Sequence, residues 1–283
     1  PPGKLVDVGG YRVNLYCVGE GSPTVVITGT EFSFDWALVQ APAAQFARVC
    51  TYDASGMAWS DPGPKLTCHA RIAELHAALK NAGVEGPYVL AGLSMGAIVA
   101  RLYASRYPEE TAGMVIVDHA FLDVGAPVGA KPADAPNGDS PPVLIHQEPI
   151  RWTIEDNPNF GKLPVHAREL HRWAMSLHPM RPTADAAQEC LAGLEKTAYP
   201  LGTQPLAVIS TVNHSPNYDK LQTELLALSR NSKQFVAEKS FHAVTIDQPE
   251  IIVTAIQEVV EAVRGHSTLA MDGAGKRAKA GSQ

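Results

Sequence analysis

A serine, a histidine and one of several aspartates give this chain the side chains for nucleophilic acyl transfer. Ser94 lies in Gly92-Leu93-Ser94-Met95-Gly96, a G-x-S-x-G pattern. A serine hydroxyl is a weak nucleophile at neutral pH and needs an adjacent base, a task suited to a neutral imidazole. His242, in Ser240-Phe241-His242-Ala243, is the candidate base. The pattern alone is common by chance, and a glycine-rich turn whose serine merely caps a helix would read the same way. It gains meaning between a strand and a helix. There the glycines leave room for a tight turn, and the helix start offers free N–H groups to a developing oxyanion.

The flanking elements supply that context. Residues 88–91 read as a buried strand and 97–106 as a helix. His242 follows a strand at 234–237 and precedes a helix at 251–263, which puts it in a loop at the carboxyl edge of a sheet. Further strands are expected at 11–18, 24–28, 48–53, 114–118 and 206–211, with helices at 36–47, 68–81 and 220–229. Asp35 is placed to cap the first helix. The first two of these strands are close enough to form an antiparallel edge hairpin. Alternation of strand and helix predicts an α/β fold with a mainly parallel sheet.

That alternation lapses between about 120 and 203. This block is rich in proline, with scattered histidine and tryptophan and helix-like stretches at 164–178 and 183–196. It is too long for an ordinary connection and reads as a mostly helical cap inserted after Asp118. Such a cap would cover the carboxyl edge, where open α/β sheets bind ligands. The expected organisation is a first core part over 1–119, a cap over 120–203, a second core part over 204–265 and a small polar tail over 266–283.

Composition narrows the function classes. With 283 residues, 45% hydrophobic and 18% charged, the chain can bury a large core without staples. A net charge of −6 argues against a nucleic-acid partner. No apolar run reaches the 18 residues that suggest a membrane span. The four cysteines match no zinc or redox spacing; Cys17 and Cys50, inside apolar runs, read as small buried hydrophobes, with a disulfide the open alternative. The chain begins Pro1-Pro2-Gly3, as after leader removal or trimming, and suits a cytoplasmic or an exported protein. Oligomeric state is not legible.

Three segments then resemble the α/β-hydrolases: YVLAGLSMGAIVARLYASRYPEETAGMVIVD (88–118), FHAVTIDQPEIIVTAI (241–256) and YDASGMAWSDPGP (52–64). The first resembles their nucleophile region and the second their histidine loop. The resemblance implies a Ser–acid–His triad, no metal or organic cofactor, and a cap that shapes substrate choice. In many members the acid follows the strand before the histidine unit, where this chain has no carboxylate until Asp219. In others it ends the strand after the nucleophile helix, where this chain has Asp118. Asp118 is the favoured acid, with Asp219 the alternative and Asp123 a lesser one; the bland reading of Asp118 is a turn residue leaving its strand. An oxyanion hole would use the Met95 backbone N–H and one from the loop after 24–28, at Thr30. Leu93 and Glu31 stand where the family often differs. With Trp152 and Trp173 of the insertion they are possible pocket residues, or simply loop and packing residues.

The expected function is therefore a serine hydrolase that cleaves a carboxylic ester or related acyl bond of a small molecule. A lactonase or perhydrolase would use the same triad. A non-catalytic ligand-binding protein on the same fold is the alternative of another class.

Overall fold

The computed structural model describes residues 1–29, 32–64, 67–119, 154–177, 190, 194, 200–212 and 216–269. They form an eight-stranded sheet in the order β1-β2-β4-β3-β5-β6-β7-β8. The strands are β1 (Lys4–Asp7), β2 (Arg12–Val18), β3 (Thr24–Ile27), β4 (Val49–Asp53), β5 (Tyr88–Leu93), β6 (Thr111–Val117), β7 (Leu206–Thr211) and β8 (Ser232–Ala237). From β4 to β8 every pairing is parallel. β3, β5 and β7 are buried along their whole length, as expected of parallel strands covered on both faces.

Helices α1 (Ala37–Ala43), α2 (Cys68–Asn81) and α3 (Met95–Arg106) precede α4 (Val165–Leu177), α5 (Pro216–Leu226), α6 (Val244–Asp247) and α7 (Pro249–Gly265). On one face of the sheet, apolar side chains of α2, α3 and α5 pack against β5 and β6; on the other, those of α1 and α7 do. Ile252, Ala255, Ile256, Val259 and Val260 of α7 fall at three- and four-residue spacing and are all fully buried. Each of these buried isoleucines and valines is worth about 1.5–3 kcal/mol. The Thr67 hydroxyl accepts from the Ala70 N–H at 3.1 Å and so sets the start of α2.

Three expectations are corrected. The antiparallel partner of β2 on the sheet's outer side is β1, across a turn in which Asp7 accepts from Gly9 N–H at 2.9 Å. β3, buried throughout, lies instead between β4 and β5. Asp35 caps no helix: it lies in a 3-10 turn, Ser33–Trp36, and its carboxylate meets His171 Nδ1 of α4 at 2.8 Å, both side chains buried. Burial pushes the Asp35 carboxyl above its ordinary range, against the opposing pull of His171. Finally, Cys17 and Cys50 are not isolated hydrophobes. They face each other across the antiparallel β2–β4 pair and form a disulfide, and Cys68 and Cys190 form a second.

The helix expected at 164–178 is α4. Most of the stretch expected as helix at 183–196 lies outside the described residues, as does the tail from 270 onward. Residues 154–177 pack Phe160, Leu163, Ala167 and Ala174 against Phe32, Phe34 and Ile246, next to the chain segments that follow β3 and β8. No helix among the described residues is long and apolar enough to cross a membrane.

Candidate active site

Ser94 occupies the turn between β5 and α3, at φ 53 and ψ −115. A non-glycine residue rarely adopts positive φ, and such a conformation persists only where its surroundings enforce it. Three contacts do so here. The Ser94 N–H donates to Val117 O of the adjacent strand at 2.9 Å. Gly92 carries no Cβ because one would run into the backbone of Gly96. Gly96 in turn lies so close to the end of β3 that a Cβ would come 2.9 Å from Thr28 O. The Thr28 hydroxyl closes the arrangement, 2.8 Å from Gly96 O and 3.1 Å from Ala91 O.

Asp118 directly follows Val117, the residue that accepts from Ser94, and is itself at positive φ (39°). Its carboxylate is almost fully enclosed. Oδ2 lies 2.5 Å from His242 Nδ1, and Oδ1 accepts from the Tyr218 hydroxyl at 2.6 Å and the Thr211 hydroxyl at 3.0 Å. Burial alone would raise the Asp118 carboxyl. The hydrogen bond and charge of His242, with the two hydroxyls, outweigh it and hold the group below the ordinary carboxylate range. The Tyr218 phenol is pushed well up, by burial and by the adjacent carboxylate, so it stays a donor. His242 sits between β8 and α6, and its side chain is 39% exposed while that of Asp118 is 1%.

The structure thus brings His242 to Asp118, the residue that follows the Val117 carbonyl bonded to Ser94 N–H. Asp219 stands exposed in the first turn of α5, where its backbone oxygen accepts from Thr223. Met95 opens α3, so its N–H has no acceptor within the helix. Leu93, considered as a pocket residue, is 4% exposed within the apolar layer shared with α1 and α7. Trp173 lies on α4, with its ring 5.3 Å from that of Trp59. Thr30, Glu31, Asp123 and Trp152 lie outside the described residues.

Sequence reading missed Tyr218, Thr211, Thr28 and His119. Thr28 and Thr211 carried a signal: each ends an expected strand at the carboxyl edge of the sheet, where polar side chains collect. Among the described residues no cluster of histidine, cysteine and carboxylate side chains could hold a metal ion.

Residues 21–255 match the Alpha/beta hydrolase family. The chain belongs to that family. Relatives of this α/β-hydrolase include the uncharacterised protein YqjL of Bacillus subtilis, 25% identical over 231 residues, which make up 79% of this chain and 77% of YqjL. Among solved structures, a thermophilic esterase from Thermogutta terrifontis is 21% identical, with a TM-score of 0.61, over 89% of this chain and 94% of its own. A serine hydrolase involved in carbazole degradation, the CarC enzyme, is 17% identical, with a TM-score of 0.60, over 91% and 98%. At these identities the structural likeness speaks for the fold of this α/β-hydrolase, and the chemistry must be argued from its own residues.

Proposed function

We propose that this α/β-hydrolase is a serine hydrolase acting on a carboxylic ester or related acyl bond, with Ser94 as nucleophile, His242 as general base and Asp118 as its orienting acid. The observation that carries the reading is the Asp118–His242 pair, set on the strand next to a serine held in a strained strand-to-helix turn. Asp118 fixes the Nδ1–H tautomer of His242, which leaves Nε2 with the lone pair that a base requires. His242 takes the Ser94 proton as Oγ attacks the carbonyl carbon. The oxyanion is received by the Met95 N–H and by a second donor from the loop containing Thr30. His242 then protonates the leaving oxygen, and a water molecule repeats the sequence on the acyl-enzyme to release the acid. Each oxyanion donor is worth roughly 3 kcal/mol of barrier. Residues 120–203 act as the cap, and the packing of residues 154–177 beside the β3 and β8 ends supports that role.

A fluorophosphonate probe tests the reading directly. Labelling of Ser94 in folded protein, abolished in Ser94→Ala, is expected, together with turnover in a panel of esters graded by acyl length and including lactones. A folded chain that the probe leaves untouched, and that turns over no member of the panel, refutes the reading in favour of a ligand-binding protein.

A further inference from the structure

His119 follows Asp118 and is completely buried. Its Nδ1 lies 3.4 Å from the Ser94 carbonyl oxygen, and its Nε2 lies 3.4 Å from Nη1 of Arg101 on α3. Its own carbonyl accepts from Gln222 Nε2 of α5 at 3.1 Å, which holds the backbone beneath it. These neighbours determine the tautomer. A guanidinium can only donate, so Nε2 must carry the lone pair; a carbonyl can only accept, so Nδ1 must carry the proton. The opposite tautomer would set N–H against N–H and lone pair against lone pair. The imidazolium would face Arg101 with a second donor.

The Ser94 carbonyl and the Met95 N–H belong to one planar peptide group and point in opposite directions. Fixing the carbonyl therefore aims the N–H. The group needs fixing, because it leaves a residue at φ 53, a conformation that persists only where its surroundings enforce it. Ala97 N–H reaches the same carbonyl at 3.1 Å from within α3, and His119 holds it from the β6 side.

We infer that His119 is a positioning residue that, backed by Arg101, orients the Ser94–Met95 peptide and so aims the oxyanion donor. The inference rests on the acyl-transfer reading above. It gives β6 a double task, since the two successive residues that leave it serve the base and the oxyanion donor respectively.

The test compares wild type with His119→Leu, His119→Asn and Arg101→Met, each assayed well below its own melting temperature. The readouts are fluorophosphonate labelling rate, kcat and KM on a p-nitrophenyl ester. In His119→Leu, kcat and labelling rate are expected to fall about 10- to 100-fold with KM within about twofold, since the donor acts on the transition state rather than on the bound ester. His119→Asn, whose side-chain N–H can stand in for Nδ1–H, should recover most of the loss. Arg101→Met should fall between them. A folded His119→Leu with wild-type kcat overturns the inference, as does His119→Asn no better than His119→Leu. Should His119→Leu fail to fold, an Arg101→Met protein of unaltered kcat overturns it equally. Absence of both labelling and ester turnover in wild type overturns the hydrolase reading and this inference together. Labelled wild type with an equally reactive His119→Leu overturns the inference alone.

Discussion

Asp118 meets His242 at 2.5 Å across 124 positions of chain, from the end of one strand to the loop beyond another. Asp118→Asn keeps the size of the side chain but lets Nδ2 face the imidazole, favouring the wrong tautomer. A loss of about 10⁴-fold in kcat is expected on the precedent of such dyads. Asp219→Asn, at an exposed position on α5, should stay within about twofold. Steady-state kinetics of the two variants checks this, and the reverse ranking would exclude Asp118 as the acid.

Tyr218 both donates to Asp118 and accepts from the Thr211 N–H at 2.9 Å. Removing its hydroxyl in Tyr218→Phe deprives a buried carboxylate of its shortest hydroxyl contact and leaves that amide without this acceptor. A hydrogen bond to a charged group is worth about 1.5–3 kcal/mol. A melting point lower by several degrees and a kcat reduced about tenfold are expected, and a variant indistinguishable from wild type in both would show that the hydroxyl contributes nothing.

Burial, with Arg101 adding to it, pushes the His119 imidazole down to about 4. In the unfolded chain the same group binds its proton near pH 6.5. Between those values the unfolded state holds a proton that the folded state lacks, so stability is complete above pH 6.5 and declines as pH falls toward 4. The contribution lost is on the order of 3 kcal/mol. Urea midpoints measured from pH 7 to 4.5 should fall for wild type more steeply than for His119→Asn, which does not titrate. Parallel curves would mean that His119 takes its proton in the folded protein as readily as in the unfolded.

Both disulfides can be counted chemically. Denatured but unreduced protein should show no titratable thiol, and four should emerge after reduction. Cys68–Cys190 spans 122 positions and joins the start of α2 to a residue of the 120–203 block. Converting both residues to serine should lower stability by about 2–5 kcal/mol. Two free thiols in the unreduced protein would disprove one of the cross-links.

Ser94 and His242, the proposed nucleophile and base, were legible because each sits in a short local pattern, Ser94 between a strand and a helix, His242 between the last strand and the last helix. What supports them was not, because it is held together by strand neighbours rather than by sequence neighbours. Thr211 reaches Asp118 only because β6 and β7 pair in parallel. The Cys17–Cys50 bond follows only once β2 is known to lie beside β4. Asp35 illustrates the opposite error. An aspartate before an apolar run has the look of a helix cap, yet its partner is a histidine 136 positions away. Tertiary contact decided these cases, and local pattern carries no record of it.

Asp247, five residues past His242, accepts from the side-chain amides of Asn157 and Asn159, each at 2.9 Å, and from the Ser240 hydroxyl at 3.0 Å. The stretch around 157–159 is thus bolted to the short helix on which the imidazole's loop rests. Any redesign of that stretch would therefore also disturb the segment that carries His242, the proposed base.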